Sequence, residues 1–232
     1  MSAIDYDLTK IKAFVFDVDG VLSPSTIPLG EDGYPRRMVN IKDGYALQLA
    51  VKKGYKIAII TGGKGEAIRT RFESLGIRDI YMGSSKKLPV FKKWIDDNSL
   101  TPDEVAFMGD DIPDLPCLRF AGLPCAPFDA AWEAKETARY ISPVAGGYGC
   151  VRDLVEQTMK AHGNWLSDGE IRNIIFLTLD YTPLPTKLFK LFTGLFFYRY
   201  FLNMETSLPV FSHLSGCFFI SEIRLNPDKE KV

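Results

Sequence analysis

Two histidines and four cysteines are all that the 232 residues contain of the usual zinc ligands. The cysteines (Cys117, Cys125, Cys150 and Cys217) form no Cys-x-x-Cys pair, so the pattern gives no zinc site. Their scatter also lacks a disulfide framework and fits a reducing compartment, which makes the expected location cytoplasmic. A surplus of charge is missing too: 28 Lys and Arg face 29 Asp and Glu, a formal net charge of −1. That balance argues against a nucleic-acid partner or an acidic lipid surface. No clean apolar run of about 18 residues occurs, so no membrane span is expected. The stretch 188–198 comes nearest and is interrupted by Lys190. The polar residues 1–10, with Asp5 and Asp7, lack the apolar core of a signal peptide.

What the chain does have is alternation. Hydrophobic residues make up 46% and charged residues 25%, an ordinary mixture for a globular protein with one main core. Short apolar runs at 11–16, 56–61, 79–82, 104–108, 123–126 and 138–141 read as strands. Between them, 44–53, 66–75, 87–97, 112–121 and 151–162 read as helices, with Asp43 placed to cap the first. Strands alternating with helices predict an α/β fold, a three-layer, Rossmann-like parallel sheet. The Pro-, Gly- and Ser-rich segment 23–40 reads as a β-hairpin projecting over the end of the first strand, turning at Gly30-Glu31-Asp32-Gly33. The main domain is expected over 1–170. Beyond it, 171–232 is an atypical extension holding nine of the sixteen phenylalanines, with neither strand alternation nor helical period. It reads either as an oligomerisation or membrane-surface segment or as an end that packs poorly, and its aperiodicity favours the second.

Two strands stop abruptly at carboxylates. Asp17 and Asp19 follow Phe14-Val15-Phe16, and Asp110 and Asp111 follow Ala106-Phe107-Met108-Gly109. In an open parallel sheet ligands sit at the carboxyl ends of strands. Several negative charges in one crevice need a cation, and Mg²⁺ suits carboxylate oxygens while keeping positions open for water and phosphate. Asp17 at the end of a buried strand is placed to attack phosphorus. Asp19, two residues on, can protonate a departing alkoxide. Thr61, Gly62 and Gly63 end another strand and open a helix, where a hydroxyl and free N–H groups make an anion site. Lys87, at a helix start, can neutralise phosphate oxygens. Each signal alone has a plainer reading. An Asp-x-Asp-Gly also forms turns, Thr61 suits a strand end, Lys87 a solvated helix face, and Asp110 and Asp111 helix caps. A calcium loop fails, because its twelfth position counted from Asp17 is Pro28 and not Glu. The order of the four segments, each at a strand end or loop, is what joins them.

Assembled, these residues resemble the haloacid dehalogenase superfamily. Asp17-Val18-Asp19-Gly20-Val21 matches its first motif, Thr61 its second, Lys87 its third, and Gly109-Asp110-Asp111-Ile112-Pro113-Asp114 its fourth. The second aspartate resembles the phosphatases of that superfamily. The short 23–38 insertion, Asn40-Ile41-Lys42-Asp43-Gly44 and Ala145-Gly146-Gly147-Tyr148-Gly149-Cys150 are similar to its capless 3-deoxy-D-manno-octulosonate 8-phosphate phosphatases. That resemblance implies a Mg²⁺-dependent homotetramer acting on a small phosphorylated sugar acid in lipopolysaccharide synthesis, with hairpins forming a central barrel. It implies Asp17 as nucleophile and metal ligand, Asp19 as acid/base and carbonyl ligand, and Asp110 as the other protein ligand. Asp111 and Asp114 would steer Lys87 or metal-bound water, Thr61 and Gly62 would hold phosphate, and Arg71 would meet the sugar acid's carboxylate. Gly63 departs from the family, where Arg or Glu is usual. A nonulosonate 9-phosphate or another small phosphate ester therefore stands as the alternative substrate, and a non-catalytic binding module as the alternative class.

Overall fold

The computed structural model describes residues 4–31 and 33–166. The 171–232 extension and what its composition suggests lie outside the described residues. Among the described residues, six strands and six α-helices alternate: β1 (Ala13–Phe16), α1 (Ile41–Lys52), β2 (Lys56–Ile60), α2 (Glu66–Ser74), β3 (Asp79–Tyr81), α3 (Lys87–Asp97), β4 (Val105–Met108), α4 (Leu115–Leu118), β5 (Leu123–Ala126), α5 (Trp132–Thr137), β6 (Tyr140–Ile141) and α6 (Cys150–Ala161). The strands form one sheet in the order β3-β2-β1-β4-β5-β6, and every pairing is parallel.

β1 is the hinge of this topology. The chain winds outward from it to β2 and β3, then returns to its other side with β4. The crevice of such a sheet lies where the winding reverses, at the carboxyl ends of the two central strands. These are β1 and β4, paired from Ala13 with Val105 to Phe16 with Met108. All four residues of each are buried. Side chains alternate between faces along a strand. Phe14, Phe16, Ile57, Ile59 and Met108 accordingly share a core with residues of α1, α2 and α6. Ala13, Val15, Ala58, Ile60 and Phe107 face residues of α3, α4 and α5. A strand end packed from both sides holds the residue after it with little freedom.

The structure departs from the sequence reading in several places. Asn40, not Asp43, caps α1, its Oδ1 accepting from the N–H groups of Lys42 and Asp43. Asp43 lies inside the first turn and is buried. The helix expected over 112–121 breaks into a 3₁₀ turn, Ile112–Asp114, and the short α4. Pro116 has no N–H to give the carbonyl of Ile112, which instead receives the N–H of Leu115. α5 was not expected. The hairpin is minimal: the N–H groups of Gly30 and Arg36 bond the carbonyls of Tyr34 and Pro28, each at 2.8 Å, around a single Leu29–Pro35 bridge. It is a flap without regular strands.

Asp43 ties α1 to α6. Its Oδ1 accepts the N–H of Arg152 at 2.7 Å, while its Oδ2 is buried without a partner. Burial raises its pKa to about 6 against the bonding of Arg152. An unfolded aspartate titrates near about 3.9. Between those values the folded state binds more protons, so Asp43 makes stability fall as pH rises through the window. Asp43→Asn is expected to remove about 2–3 kcal/mol of that pH-dependent loss. Urea unfolding of both proteins at about pH 4.5 and about pH 7 checks this; an unchanged pH dependence would exonerate Asp43.

Candidate active site

The site is built on the two strands that flank the reversal. Asp17 follows β1 directly, and its N–H bonds the Met108 carbonyl at 3.1 Å, continuing the ladder with β4. The aspartate is 7% exposed. Asp110 follows β4 after Gly109, and Asp114 comes round from the 3₁₀ turn. Single oxygens of Asp17, Asp110 and Asp114 all lie within 4.8 Å of one another.

Lys87 enters this group from the first residue of α3. It is 5% exposed, so the solvated helix position that its sequence also allowed is not the one it takes. Its Nζ stands 2.8 Å from Asp17 Oδ2 and 2.7 Å from Asp114 Oδ1. Both oxygens of Asp114 are thereby engaged, because its Oδ2 accepts the N–H of Asp110 at 3.1 Å. Asp17 Oδ1 has no partner and is shielded from water. One ammonium thus faces three carboxylates. Burial, then Asp114, push Asp17 up to about 6 against the pull of Lys87. Burial, then Asp17 and Asp114, push Asp110 up to about 8. Burial opposes the charge of Lys87, but the two carboxylates outweigh it and hold its pKa above the usual lysine value.

An unpartnered oxygen on Asp17, a crowded Asp110 and a shortage of positive charge are the donor set of a hard divalent cation. The local backbone makes room for it. Gly20 has φ +88°, and a Cβ there would lie 1.9 Å from Asp110 Oδ2, so only glycine fits. The loop 145–149 closes from behind. A Cβ on Gly146 would lie 1.8 Å from the Gly20 carbonyl, and one on Gly147 would meet Pro24 at 2.4 Å. The N–H of Gly147 bonds the Val21 carbonyl at 2.7 Å.

Asp19 turns its carboxylate elsewhere. Arg37 of the flap grips it with both edges of a fork, Nε to Oδ1 at 2.6 Å and Nη2 to Oδ2 at 2.8 Å. Thr61 is buried at the end of β2. Its Oγ1 accepts the N–H of Gly63 at 3.0 Å, which leaves the hydroxyl proton for a ligand. The space beside Gly62 is open within 4 Å. Arg71 stands on α2, its guanidinium against Gly44, where a Cβ would meet Nη2 at 2.4 Å. It lines a groove of about 360 Å³ together with Val18, Arg37 and Lys64, between flap and helix. Asp111 is exposed and makes no side-chain bond at the 3₁₀ turn it precedes.

The structure therefore brings Asp17, Lys87, Asp110 and Asp114 into one contact group. It sets Asp19 at the flap, Thr61 and Gly62 at the end of β2, Arg71 across the groove, and Asp111 at the surface. Sequence reading missed Arg37. Its only signal was the Arg36-Arg37 pair at the end of the Gly/Pro-rich insertion, and charge in a loop is ordinarily solvated.

No family model matches the chain. The 3-deoxy-D-manno-octulosonate 8-phosphate phosphatase of Escherichia coli K12 is 36% identical over 154 residues, covering 66% of this chain and 82% of that protein. Among solved structures, the enzyme of that name from Moraxella catarrhalis, in complex with magnesium, phosphate and KDO, is 31% identical with a TM-score of 0.67. It is matched over 72% of this chain and 95% of that one. The cobalt-bound Haemophilus influenzae phosphatase of the same activity is 25% identical with a TM-score of 0.67, over 71% and 96% of the two chains.

The room at Gly20 gives a direct check. Gly20→Ala is expected to weaken Mg²⁺ binding at least about tenfold, since the new methyl group and Asp110 cannot both keep their places. Titration calorimetry with MgCl₂ measures it; wild-type affinity would show that Asp110 does not hold the ion.

Proposed function

The chain belongs to the 3-deoxy-D-manno-octulosonate 8-phosphate phosphatases of the haloacid dehalogenase superfamily, and from that premise we propose how its own residues carry the reaction. It is a phosphoric monoester hydrolase with Mg²⁺ as cofactor, releasing phosphate from 3-deoxy-D-manno-octulosonate 8-phosphate. The observation that carries the residue roles is the buried contact group itself: Lys87 clamped between Asp17 and Asp114, with one oxygen of Asp17 left unpartnered.

Asp17 attacks phosphorus and becomes the aspartyl-phosphate. Asp19 protonates the departing sugar alkoxide, releasing it as the hydroxyl, then takes a proton from the water that hydrolyses the intermediate. Lys87 offsets charge on the phosphoryl oxygens as it redistributes. Thr61, through its free hydroxyl proton, and Gly62, through its backbone N–H, hold the phosphate. Asp17, Asp110 and the carbonyl of Asp19 would hold Mg²⁺. When bound, the ion neutralises both the carboxylates and the phosphate oxygens. Asp114 fixes Lys87, and Asp111 lies at the rim. Arg71, lining the groove beyond Val18, suits the carboxylate of the sugar acid.

The same reading extends to assembly. Leu29, Tyr34, Met38, Val39 and Ile41, on the flap and the start of α1, are large apolar residues left exposed. This supports a homotetramer whose flaps pair around a common axis. A cytoplasmic location is supported by Cys117, Cys125 and Cys150, which are all free thiols. No helix among the described residues is long and apolar enough to cross a membrane.

Phosphate release from the octulosonate 8-phosphate is expected to stop on adding EDTA. Asp17→Asn is expected to lower kcat at least about 10³-fold while the circular-dichroism spectrum is retained. A panel including a nonulosonate 9-phosphate and simple sugar phosphates ranks the substrates. Substantial turnover by Asp17→Asn would remove its nucleophilic role. We further propose that residues 1–170 suffice for catalysis. A chain ended after Gly169 is expected to keep kcat within about threefold, and loss of phosphate release would assign the extension a part in the enzyme.

A further inference from the structure

Arg37 of the flap makes a two-point contact with a proposed catalytic group. Its Nε and Nη2 bond Asp19 Oδ1 and Oδ2 at 2.6 and 2.8 Å. The side chains are 16% and 35% exposed, so the pair is partly withdrawn from water. A surface pair of this kind ordinarily contributes little to stability. A bidentate fork instead fixes direction, because it defines the plane of the carboxylate. Each carboxylate oxygen keeps a second lone pair, and the fork determines where those free lone pairs point.

A second, independent observation concerns Gly63. A Cβ on that residue would lie 2.6 Å from Arg37 Nη2 and 3.1 Å from Asp19 Oδ2. Its backbone does not occupy the left-handed region, so nothing in its own conformation demands glycine. The space is needed by the guanidinium. The loop that leaves this space is itself fixed: the N–H of Gly63 bonds Thr61 Oγ1 at 3.0 Å, and its carbonyl accepts the N–H of Gly83 at 3.0 Å. On the other side, the Arg36 N–H to Pro28 carbonyl bond holds the base of the flap just before Arg37. Arg37 therefore reaches Asp19 from an anchored segment through a gap that residue 63 keeps clear.

We propose that Arg37 is a positioning residue for Asp19, aiming its carboxylate at the leaving-group oxygen, and that Gly63 is there to admit it. The inference rests on the acid/base role given to Asp19 above. A proton donor matters most when the leaving group is a poor one. A sugar alkoxide needs a proton as it departs, whereas p-nitrophenolate leaves without one. Misaiming Asp19 should slow the first ester and spare the second.

The experiment compares the full-length, Mg²⁺-loaded enzyme with Arg37→Ala and Gly63→Ala in single-turnover phosphoryl transfer. For Arg37→Ala, transfer from 3-deoxy-D-manno-octulosonate 8-phosphate is expected to slow at least about tenfold, and transfer from p-nitrophenyl phosphate to change less than about threefold. KM for the sugar acid is expected to stay within about threefold, the loss falling on kcat. Mg²⁺ affinity by calorimetry is expected to be unchanged. Gly63→Ala, with Arg37 still present but displaced, is expected to show the same selective loss. Equal slowing of both esters would make Arg37 merely structural. A loss confined to KM would make it a substrate ligand, and faster turnover would make it a brake; each overturns the inference. Inability of the unmodified enzyme to hydrolyse the sugar-acid phosphate would overturn the functional reading and this inference with it. Failure of the two variants to discriminate between esters overturns this inference alone.

Discussion

A single buried ammonium among three carboxylates is the constraint on which the site depends. In a partly desolvated crevice, charges of one sign repel strongly and cannot be left unpaired. Lys87 satisfies one oxygen of Asp17 and one of Asp114. The remaining deficit of positive charge is what makes the place receptive to a divalent ion and an electrophile. Both oxygens of Asp114 are engaged, one by Lys87 and one by the backbone of Asp110. Its work is to hold Lys87 and orient the Asp110 loop. That division of labour separates groups of identical chemistry by geometry alone.

The sheet topology explains why these charges meet. β1 and β4 are neighbours only because the chain reverses its winding between β3 and β4, and the two acidic loops then open on the same crevice. Burial of both strands on both faces fixes the loops' starting points. The flap, by contrast, is held by a few main-chain bonds, one bridge and the Arg37 fork on Asp19. The rigid half thus carries the groups proposed to make and break bonds to phosphorus.

Much of this was legible in the sequence, for a physical reason. Strand ends that stop at Asp17 and Asp110, the glycines after Thr61, and the periodicity of α3 are local features, written over a few adjacent residues. What was illegible depends on residues distant in sequence. The choice of Asn40 over Asp43 as cap follows from Asp43 being drawn to Arg152 on α6. The break after Asp114 follows from Pro116 in a segment whose composition otherwise suits a helix. Arg37 looked like any loop arginine until the fold set Asp19 and the empty side of Gly63 around it. The resemblance to known enzymes supplied Arg71 and the expectation that Asp111 and Asp114 steer Lys87 or metal-bound water, which no local pattern contained; the contact with Lys87 falls to Asp114.

The glycines at 146 and 147 carry a consequence for biogenesis. The turn that bears Asp17 and Asp19 is seated against their bare backbone, yet they are made long after it, more than half the chain later. A ribosome-bound polypeptide that has emerged only through α4 holds all the acidic groups but not the buttress that sets their spacing. Parallel pairing across such separations is also slow to form. The nascent protein therefore passes most of its synthesis without a competent centre, and catalytic ability arrives late, together with the piece that closes the back of the crevice.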